Sequence, residues 1–229
     1  MKAMILAAGL GKRMRPLTDK LPKPLLLCAG KPLIVYHIEA LVAAGVKDIV
    51  INHAYLSAII EATLQDGSQY GARIQYSAEK EPMNTGAGIA NALPLLGDEA
   101  FILSNGDVWT DFDFSQLTNL DVDLAHLVMV ANPAHNPQGD FSLTERGLLL
   151  ADRKSDRGVG LTYSGMAVLH PKLFSFCPSG PFPLRQPLIE AMRENRVTGQ
   201  HFRGRWTDVG TPERLQELEQ QLLGFNDPP

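Results

Sequence analysis

The segment from Gly9 to Thr18 follows directly on a short apolar run, Met4 to Ala8, and it constrains the fold more than any other stretch of the chain. The apolar run predicts a buried first strand. In the loop that follows, Gly9 and Gly11 allow backbone amides to approach an anion closely, and basic side chains add positive charge beside them. These basic residues are Lys12, Arg13 and Arg15. The chain therefore begins with a predicted polyphosphate-binding loop at the end of a strand.

Two common nucleotide-binding motifs are excluded. A GxGxxG dinucleotide fingerprint would require glycine where Met14 stands, and the chain contains no GxxxxGK[ST] Walker loop. Pro16, Pro22 and Pro24 prevent a helix from starting after Gly11 and continuing through this region. The predicted loop is irregular, basic and at a strand end, where open α/β sheets bind ligands. A GxG pair alone is more often a plain surface loop, so the prediction depends on the full ten residues.

The composition suits one globular α/β domain. The chain has 229 residues and a formal net charge of −4, which argues against a broad basic surface for nucleic acid. No apolar run is long enough to span a bilayer or to form a signal-peptide core, so we expect no membrane association and a cytoplasmic location. Cys28 and Cys177 lack the spacing of a zinc site or a disulfide framework. No oligomerisation segment is evident, and we expect a monomer.

Strand-like and helix-like segments alternate through the first half of the chain. This alternation predicts βα units with right-handed crossovers and a mostly parallel central sheet, the arrangement of a Rossmann-like α/β fold. We expect a glycine-rich turn at Thr85–Gly88 before a helix, and a strand at Met166–Leu169. A final helix is predicted after Thr211, which would cap it, with Pro212 at its first position.

The segment Gly9–Thr18, followed by Pro22-Lys23-Pro24-Leu25, resembles the paired signature of the sugar-1-phosphate nucleotidyltransferases, commonly GxGxRMxPLT and then PKPL. The resemblance covers essentially the whole chain. Within that family it is strongest to the N-acetylmuramate-1-phosphate uridylyltransferases of peptidoglycan recycling. The segments that carry it are Ile51–Ala54, Asn105–Trp109, Gly139–Phe141 and Arg205–Gly210.

This resemblance implies an enzyme that transfers a uridylyl group from UTP to N-acetylmuramate-1-phosphate and releases pyrophosphate, with Mg²⁺ as cofactor. It also implies the family's three-layer nucleotidyltransferase fold as a single domain over residues 1–229. The nucleotide-binding half would cover about residues 1–110 and the sugar-binding half about residues 111–224. Two alternatives stay open. One is another family activity, such as glucose-1-phosphate thymidylyl- or uridylyltransferase, and the other is a non-catalytic nucleotide-sugar sensor.

The resemblance also implies which residues contact the nucleotide. They are Ala8, Gly9, Leu10, Gly11, Lys12, Arg13, Lys23, Thr85, Gly86 and Asn105. A lone lysine is usually a solvated surface charge, but prolines on both sides stiffen the segment around Lys23, and Pro24 favours an extended backbone at the lysine. Asn84 departs from the related sequences, which usually have an acidic residue there, and this leaves the base contacts open.

Asp107 and Asp208 are the expected ligands of Mg²⁺. Asp107 follows a predicted strand at Phe101–Leu103, where a carboxylate would face the ligand crevice, although a turn-forming aspartate fits that spacing equally well. Asp208 precedes the final helix, where the helix dipole alone would favour it. The family match makes both of them metal ligands, and Mg²⁺ usually takes one or two protein carboxylates plus phosphate oxygens. Arg13 and Lys23 complete the implied catalytic set, and the retention of Lys23, Asp107 and Asp208 argues against a sensor.

A third group of residues matches family positions around the sugar. These are Asn105, Asp140, Ser164, Gly165, Arg205 and Trp206. A turn aspartate, an ordinary strand Ser-Gly pair and a core tryptophan are the plainer interpretations. The carboxylate of a lactyl group on the sugar would require a nearby cation, and the sequence does not choose between Arg203, Arg205 and Lys154.

Overall fold

The computed structural model describes residues 1–79, 81 and 83–224. Its strands are β1 (Ala3–Leu6), β2 (Leu27–Cys28), β3 (Lys31–Pro32), β4 (Asp48–His53), β5 (Arg73–Ala78), β6 (Phe101–Asn105), β7 (Val108–Thr110), β8 (Ala125–Val130), β9 (Phe141–Leu143), β10 (Leu149–Leu150), β11 (Val159–Leu169), β12 (Val197–His201) and β13 (Trp206–Asp208). Its α-helices are α1 (Leu33–Ala43), α2 (Ser57–Leu64), α3 (Asn84–Leu96), α4 (Arg185–Arg193) and α5 (Pro212–Gly224). Among the described helices, none combines the length and the apolar character that a membrane-spanning segment requires.

The central sheet runs through both halves of the chain. Its order is β10-β9-β11-β6-β1-β4-β5, with β8 paired to β11 and β12 paired to β8. Strands β5, β4, β1 and β6 are parallel neighbours, whereas β11 is antiparallel to β6, β8 and β9. Of the nine strands that the structure describes in this sheet, seven run in one direction and only β10 and β11 run in the other, so the sheet is mostly parallel, as predicted.

Helices cover both faces of this sheet. Met4 of β1 belongs to a buried cluster that includes residues of α3 and α4, whereas its neighbour Ile5 packs with residues of α1 and α2. Successive strand residues face opposite sides of a sheet, so the two clusters are the two interfaces of a three-layer structure. Burial of β1 on both faces explains why its sequence is a continuous apolar run.

The strand order reverses beside β1, and this reversal locates the ligand crevice. The chain moves outwards from β1 to β4 and β5, and then returns to place β6 on the other side of β1. Loops that leave the carboxyl ends of β1 and β6 therefore diverge from a common point, which is where open α/β sheets bind ligands. The predicted phosphate loop follows β1, and Asp107 follows β6.

The predicted glycine-rich turn at Thr85–Gly88 is wrong, because these residues form the first turns of α3. The glycines are required by packing. A Cβ at Gly86 would lie 2.5 Å from the ring of Phe182, and a Cβ at Gly88 would lie 2.5 Å from Oε1 of Glu79. Tertiary contacts thus override the low helix propensity of glycine here.

The strand predicted at Met166–Leu169 is longer than expected, since β11 begins at Val159. Its register against β8 shifts between Tyr163 and Ala167, where Gly165 takes a φ of 85°. This irregularity interrupts the alternation of apolar residues and so hides the first half of the strand. The final helix agrees with its prediction, since Oγ1 of Thr211 accepts the backbone N–H of Arg214 at 3.4 Å.

Candidate functional site

The loop after β1 is held from beneath by buried side chains. Met14 is fully buried, and the buried hydroxyl of Thr18 donates to the carbonyl of Gly11 at 2.8 Å. Gly11 takes a φ of 60°, in the left-handed region, and a single 3-10 turn follows at Lys12–Met14. Because a Cβ at Gly11 would come within 2.9 Å of the methyl group of Thr18, this close approach requires glycine.

The amides of this loop are free to bind an anion. In the described part of the chain, no acceptor bonds the N–H groups of Ala8 to Arg13, whereas the N–H of Ala7 donates to Oδ1 of Asn52 at 2.9 Å. Lys12 and Arg13 are exposed on the 3-10 turn. A row of unpaired amides beside two cations is the arrangement that binds phosphate groups.

A cavity of about 280 Å³, the loop cavity, opens against this segment. It is lined by Leu6, Ala7, Ala8, Gly9, Lys23, Pro24, Asn52, Glu79, Met83, Asn84, Thr85, Asn105 and Asp107. Of the predicted nucleotide residues, Leu10, Gly11, Lys12, Arg13 and Gly86 are not among these lining residues. Gly86 instead faces Phe182 inside the fold.

Lys23 and Asp107 meet at one wall of the loop cavity. The Nζ atom of Lys23 lies 2.6 Å from Oδ2 of Asp107, and Lys23 is only 8% exposed. The extended backbone predicted at Lys23 is wrong, because the lysine begins a single 3-10 turn at Lys23–Leu25. Pro22 is the extended residue, with φ −64° and ψ 141°. The lysine is thus buried against a carboxylate and is not a solvated surface charge.

The strand pair β7 and β13 brings Asp208 to the same place. Asp208 is the register partner of Val108, and the N–H of Val209 donates to the carbonyl of Asp107 at 3.0 Å. About a hundred residues separate the two aspartates in the sequence. The two strands β7 and β13, of three residues each, therefore place Asp208 beside Asp107.

Both aspartates line a second cavity of about 290 Å³, the aspartate cavity. Its lining residues are Asn105, Asp107, Val108, His135, Asn136, Thr162, Tyr163, Ser164, Trp206 and Asp208. Asn105 and Asp107 line both cavities, so the loop cavity and the aspartate cavity adjoin at these two residues. Two molecules, one bound in the loop cavity and one in the aspartate cavity, would therefore meet at Asp107.

Asp107 and Asp208 are the two acidic side chains that line the aspartate cavity. Each now has a cationic partner, since Asp107 pairs with Lys23 and Oδ2 of Asp208 lies 2.7 Å from Nη1 of Arg214. Nε2 of His135 lies 3.2 Å from the same oxygen of Asp208. The described residues hold no group of three or more His, Cys, Asp or Glu side chains placed to bind a metal. Two carboxylates with room for phosphate oxygens match the preference of Mg²⁺ for hard oxygen donors.

His37 supports the turn that carries Asp107, and no sequence pattern pointed to it. Its ring is buried, with Nε2 2.6 Å from the carbonyl of Val108 and Nδ1 2.9 Å from Oγ of Ser104. Burial lowers the pKa of His37 below its ordinary value. The ring is therefore neutral near pH 7, with Nε2–H donating to Val108 and Nδ1 accepting from Ser104.

Three of the predicted sugar residues form one wall of the aspartate cavity. A Cβ at Gly165 would lie 2.6 Å from Nδ2 of Asn105, so glycine allows Asn105 to pack against β11. The indole N–H of Trp206 donates to the carbonyl of Ser164 at 2.8 Å. The hydroxyl of Ser164 itself donates to the carbonyl of Val128 at 2.7 Å, which fixes the irregular part of β11.

The other three predicted sugar residues, Gly165, Asp140 and Arg205, are not among the residues that line the aspartate cavity. Oδ2 of Asp140 accepts the backbone N–H of Tyr163 at 2.9 Å and the side-chain amide of Asn136 at 3.3 Å. The side chain of Arg205 pairs with Asp111 at 3.0 Å and lies over the ring of Trp109, 5.2 Å from its centroid. The roles of Asp140 and Arg205 stay predictions.

A third cavity of about 650 Å³, the arginine cavity, continues the crevice beyond Asp208. It shares His135, Trp206 and Asp208 with the aspartate cavity and is also lined by Arg203 and Arg214. Of the three cations left open by the sequence, Arg203 is the one that lines it. The three cavities thus form one crevice with Asp107 and Asp208 along it.

Comparisons with known proteins identify the family and the fold of the chain. Residues 2–148 match the family model described as nucleotidyl transferase. The chain is 49% identical over 226 residues to an N-acetylmuramate alpha-1-phosphate uridylyltransferase of Neisseria meningitidis serogroup B, which covers 96% of this chain and 97% of the relative. It is 34% identical over 235 residues to a Caulobacter vibrioides protein of the same name, with 96% of each covered.

A solved structure gives the same fold at lower identity. It is a Bacillus anthracis protein, provisionally assigned as a glucose-1-phosphate thymidylyltransferase, with a TM-score of 0.85 and 19% identity. The match covers 100% of this chain and 98% of that one. At this identity the likeness concerns the fold alone.

Proposed function

The chain belongs to the nucleotidyl transferase family, and we propose that it transfers the uridylyl group of UTP to N-acetylmuramate-1-phosphate and releases pyrophosphate. The observation that carries the proposal is the junction of the loop cavity and the aspartate cavity at Asp107. The triphosphate occupies the loop cavity and the sugar phosphate occupies the aspartate cavity. The choice of base and sugar follows the names of the two relatives.

The reaction is an in-line displacement at the α-phosphorus. A phosphate oxygen of the sugar phosphate forms the new bond, the bond from the α-phosphorus to the bridging oxygen of pyrophosphate breaks, and its electron pair leaves with pyrophosphate. The nucleophile is already an anion, so no strong general base is needed. Catalysis is therefore alignment and neutralisation of charge.

Different residues of this chain align the phosphates and neutralise their charge. The unpaired amides of the loop from Ala8 to Arg13 bind phosphate oxygens, and the buried ammonium of Lys23 stabilises negative charge at the junction of the two cavities. Asp107 and Asp208 would hold Mg²⁺, which when bound draws the reacting phosphates together and neutralises their charge. His37 keeps the turn of Asp107 in place through the carbonyl of Val108.

A panel of substrates tests the proposal. We expect the purified protein to release pyrophosphate fastest from UTP with N-acetylmuramate-1-phosphate, and to use the same triphosphate more slowly with N-acetylglucosamine-1-phosphate or glucose-1-phosphate. Pyrophosphate release is measured for each pairing of four nucleoside triphosphates with these sugars. A preference for thymidine triphosphate with glucose-1-phosphate would replace the proposed activity with another of the same family. Binding without turnover for every pair would favour a sensor.

Arg203 is expected to select the acidic sugar. It is exposed, lines the arginine cavity, and has no carboxylate partner among the described residues, so it is available for the lactyl carboxylate. We expect Arg203→Ala to lower kcat/KM for N-acetylmuramate-1-phosphate about tenfold or more, because one charged hydrogen bond is lost. We expect kcat/KM for N-acetylglucosamine-1-phosphate to stay unchanged. The matched control is Lys154→Ala, since Lys154 is also exposed but lies outside this cavity. Equal losses for both sugars would remove Arg203 from the selection.

A further inference from the structure

We propose that Glu79 is a positioning residue that joins three walls of the loop cavity and sets the gap in which the nucleotide binds. The inference rests on the proposed function, since it assigns the loop cavity to the nucleotide. Glu79 directly follows β5 and is only 7% exposed, yet no cation among the described residues pairs with it. A buried carboxylate in that position requires hydrogen-bond donors.

The donors come from two different walls. Oε1 of Glu79 accepts the side-chain amide of Asn52 at 2.6 Å, and Oε2 accepts the backbone N–H of Met83 at 3.0 Å. Asn52 is the fifth residue of β4, and Met83 immediately precedes α3. Both of them line the loop cavity, as Glu79 does.

Asn52 extends the connection to the phosphate loop. Its Oδ1 accepts the N–H of Ala7 at 2.9 Å, and Ala7 is the last residue before the row of unpaired amides. The chain of contacts therefore runs from the start of α3 through Glu79 and Asn52 to the phosphate loop. It fixes the distance between the two sides of the loop cavity.

The donors and acceptors in this series of hydrogen bonds can be assigned in one way. Because Oδ1 of Asn52 faces an N–H donor, its Nδ2 must face Glu79 and donate to it. Met83 also donates, so both oxygens of Glu79 accept, as the two oxygens of a carboxylate can. Gly88 permits this arrangement, since a Cβ there would lie 2.5 Å from Oε1 of Glu79 and 3.0 Å from Nδ2 of Asn52.

The first test is Glu79→Gln, which keeps the shape and removes one acceptor. The amide of glutamine would turn an N–H group towards either Asn52 or Met83, and one contact must break. We expect KM for UTP to rise about tenfold or more, KM for the sugar phosphate to stay within about twofold, and the thermal midpoint to fall by no more than about 4 °C. Calorimetric titration with UTP should show the same loss of affinity. Glu81→Gln is the matched control, because Glu81 is exposed.

The decisive test is the exchange of both residues. Asn52→Asp alone places two carboxylates where the hydrogen bond of 2.6 Å now stands, and should also weaken UTP binding. In the double variant Asn52→Asp with Glu79→Gln, the introduced carboxylate would accept from Ala7 and from the new glutamine, whose oxygen accepts from Met83. All three hydrogen bonds return with the same net charge. We expect the affinity for UTP to recover to within about threefold of the starting protein.

Two results would overturn the inference. One is a Glu79→Gln variant with an unchanged KM for UTP. The other is a folded double variant whose losses equal the product of the two single losses, which would mean that the residues act separately. Failure of the proposed function is a distinct result, because the unaltered protein would then fail to bind or to use UTP. In that case the same variants are measured with the triphosphate that the substrate panel selects.

Discussion

Asp107→Asn is expected to lower kcat by at least about a hundredfold while the protein remains folded. The change removes one negative charge at the junction of the two cavities, where the proposed metal ion and the reacting phosphates meet. The asparagine oxygen still accepts from Lys23, whose Nζ lies 2.6 Å from Oδ2 of Asp107, so the contact between the two side chains is kept. We expect the thermal midpoint to stay within about 4 °C of the starting protein.

The measurement is single-turnover pyrophosphate release with both substrates saturating, so that binding is separated from chemistry. Asp98→Asn serves as the control, because Asp98 is exposed and lines neither of these cavities. Asp208→Asn should lower kcat in the same direction, since Asp208 lines the aspartate cavity as well. If Asp107→Asn kept more than about a tenth of the rate, Asp107 would not be the ligand that the mechanism requires.

The sequence was sufficient for the parts of the fold that depend on local pattern. β1 and β6 are buried on both faces, so they read as apolar runs, and the loops that follow them carry the glycines and the aspartate of the site. The phosphate loop could be placed because Pro16, Pro22 and Pro24 forbid a helix. These features need no knowledge of distant residues.

Contacts between distant segments could not be predicted from the residues alone. The place of Gly86 inside α3 depends on Phe182, about a hundred residues further along. The approach of Asp208 to Asp107 depends on the register of β13 against β7, and only the family resemblance implied it.

The sequence assigned no role to Glu79, and it marked Asn52 only as part of the segment Ile51–Ala54, for a related reason. A glutamate after a strand is usually a surface residue, and nothing in its own neighbourhood indicates that a strand-end asparagine 27 residues earlier is its partner. The position of both residues in the predicted sheet would have been the useful signal for a role in the site. Both residues lie at the carboxyl edge of the parallel sheet, where β4 ends beside β1 and β5 ends beside β4.

Lys23→Met is expected to lower kcat by about a hundredfold or more. Methionine fills much of the space of the buried lysine but supplies no charge, so the negative charge that develops on the departing pyrophosphate is no longer neutralised at the cavity junction. Asp107 also loses its cationic partner. We therefore expect the affinity for UTP to fall together with kcat. In Glu79→Gln, by contrast, the expected change is in KM for UTP.

Lys23→Arg separates charge from geometry. The side chain of Lys23 is 9% exposed and its ammonium lies 2.6 Å from Asp107, so the larger planar guanidinium would have to displace either the carboxylate or the wall of the loop cavity. We expect this variant to bind UTP but to recover less than about a tenth of the lost rate, because a positive charge of the wrong shape does not align the phosphates. Lys20→Met is the control for exposed lysines in the same segment. Wild-type kcat in Lys23→Met, measured by pyrophosphate release at saturating UTP, would show that the transition state is neutralised without Lys23 and that the buried lysine serves only the fold.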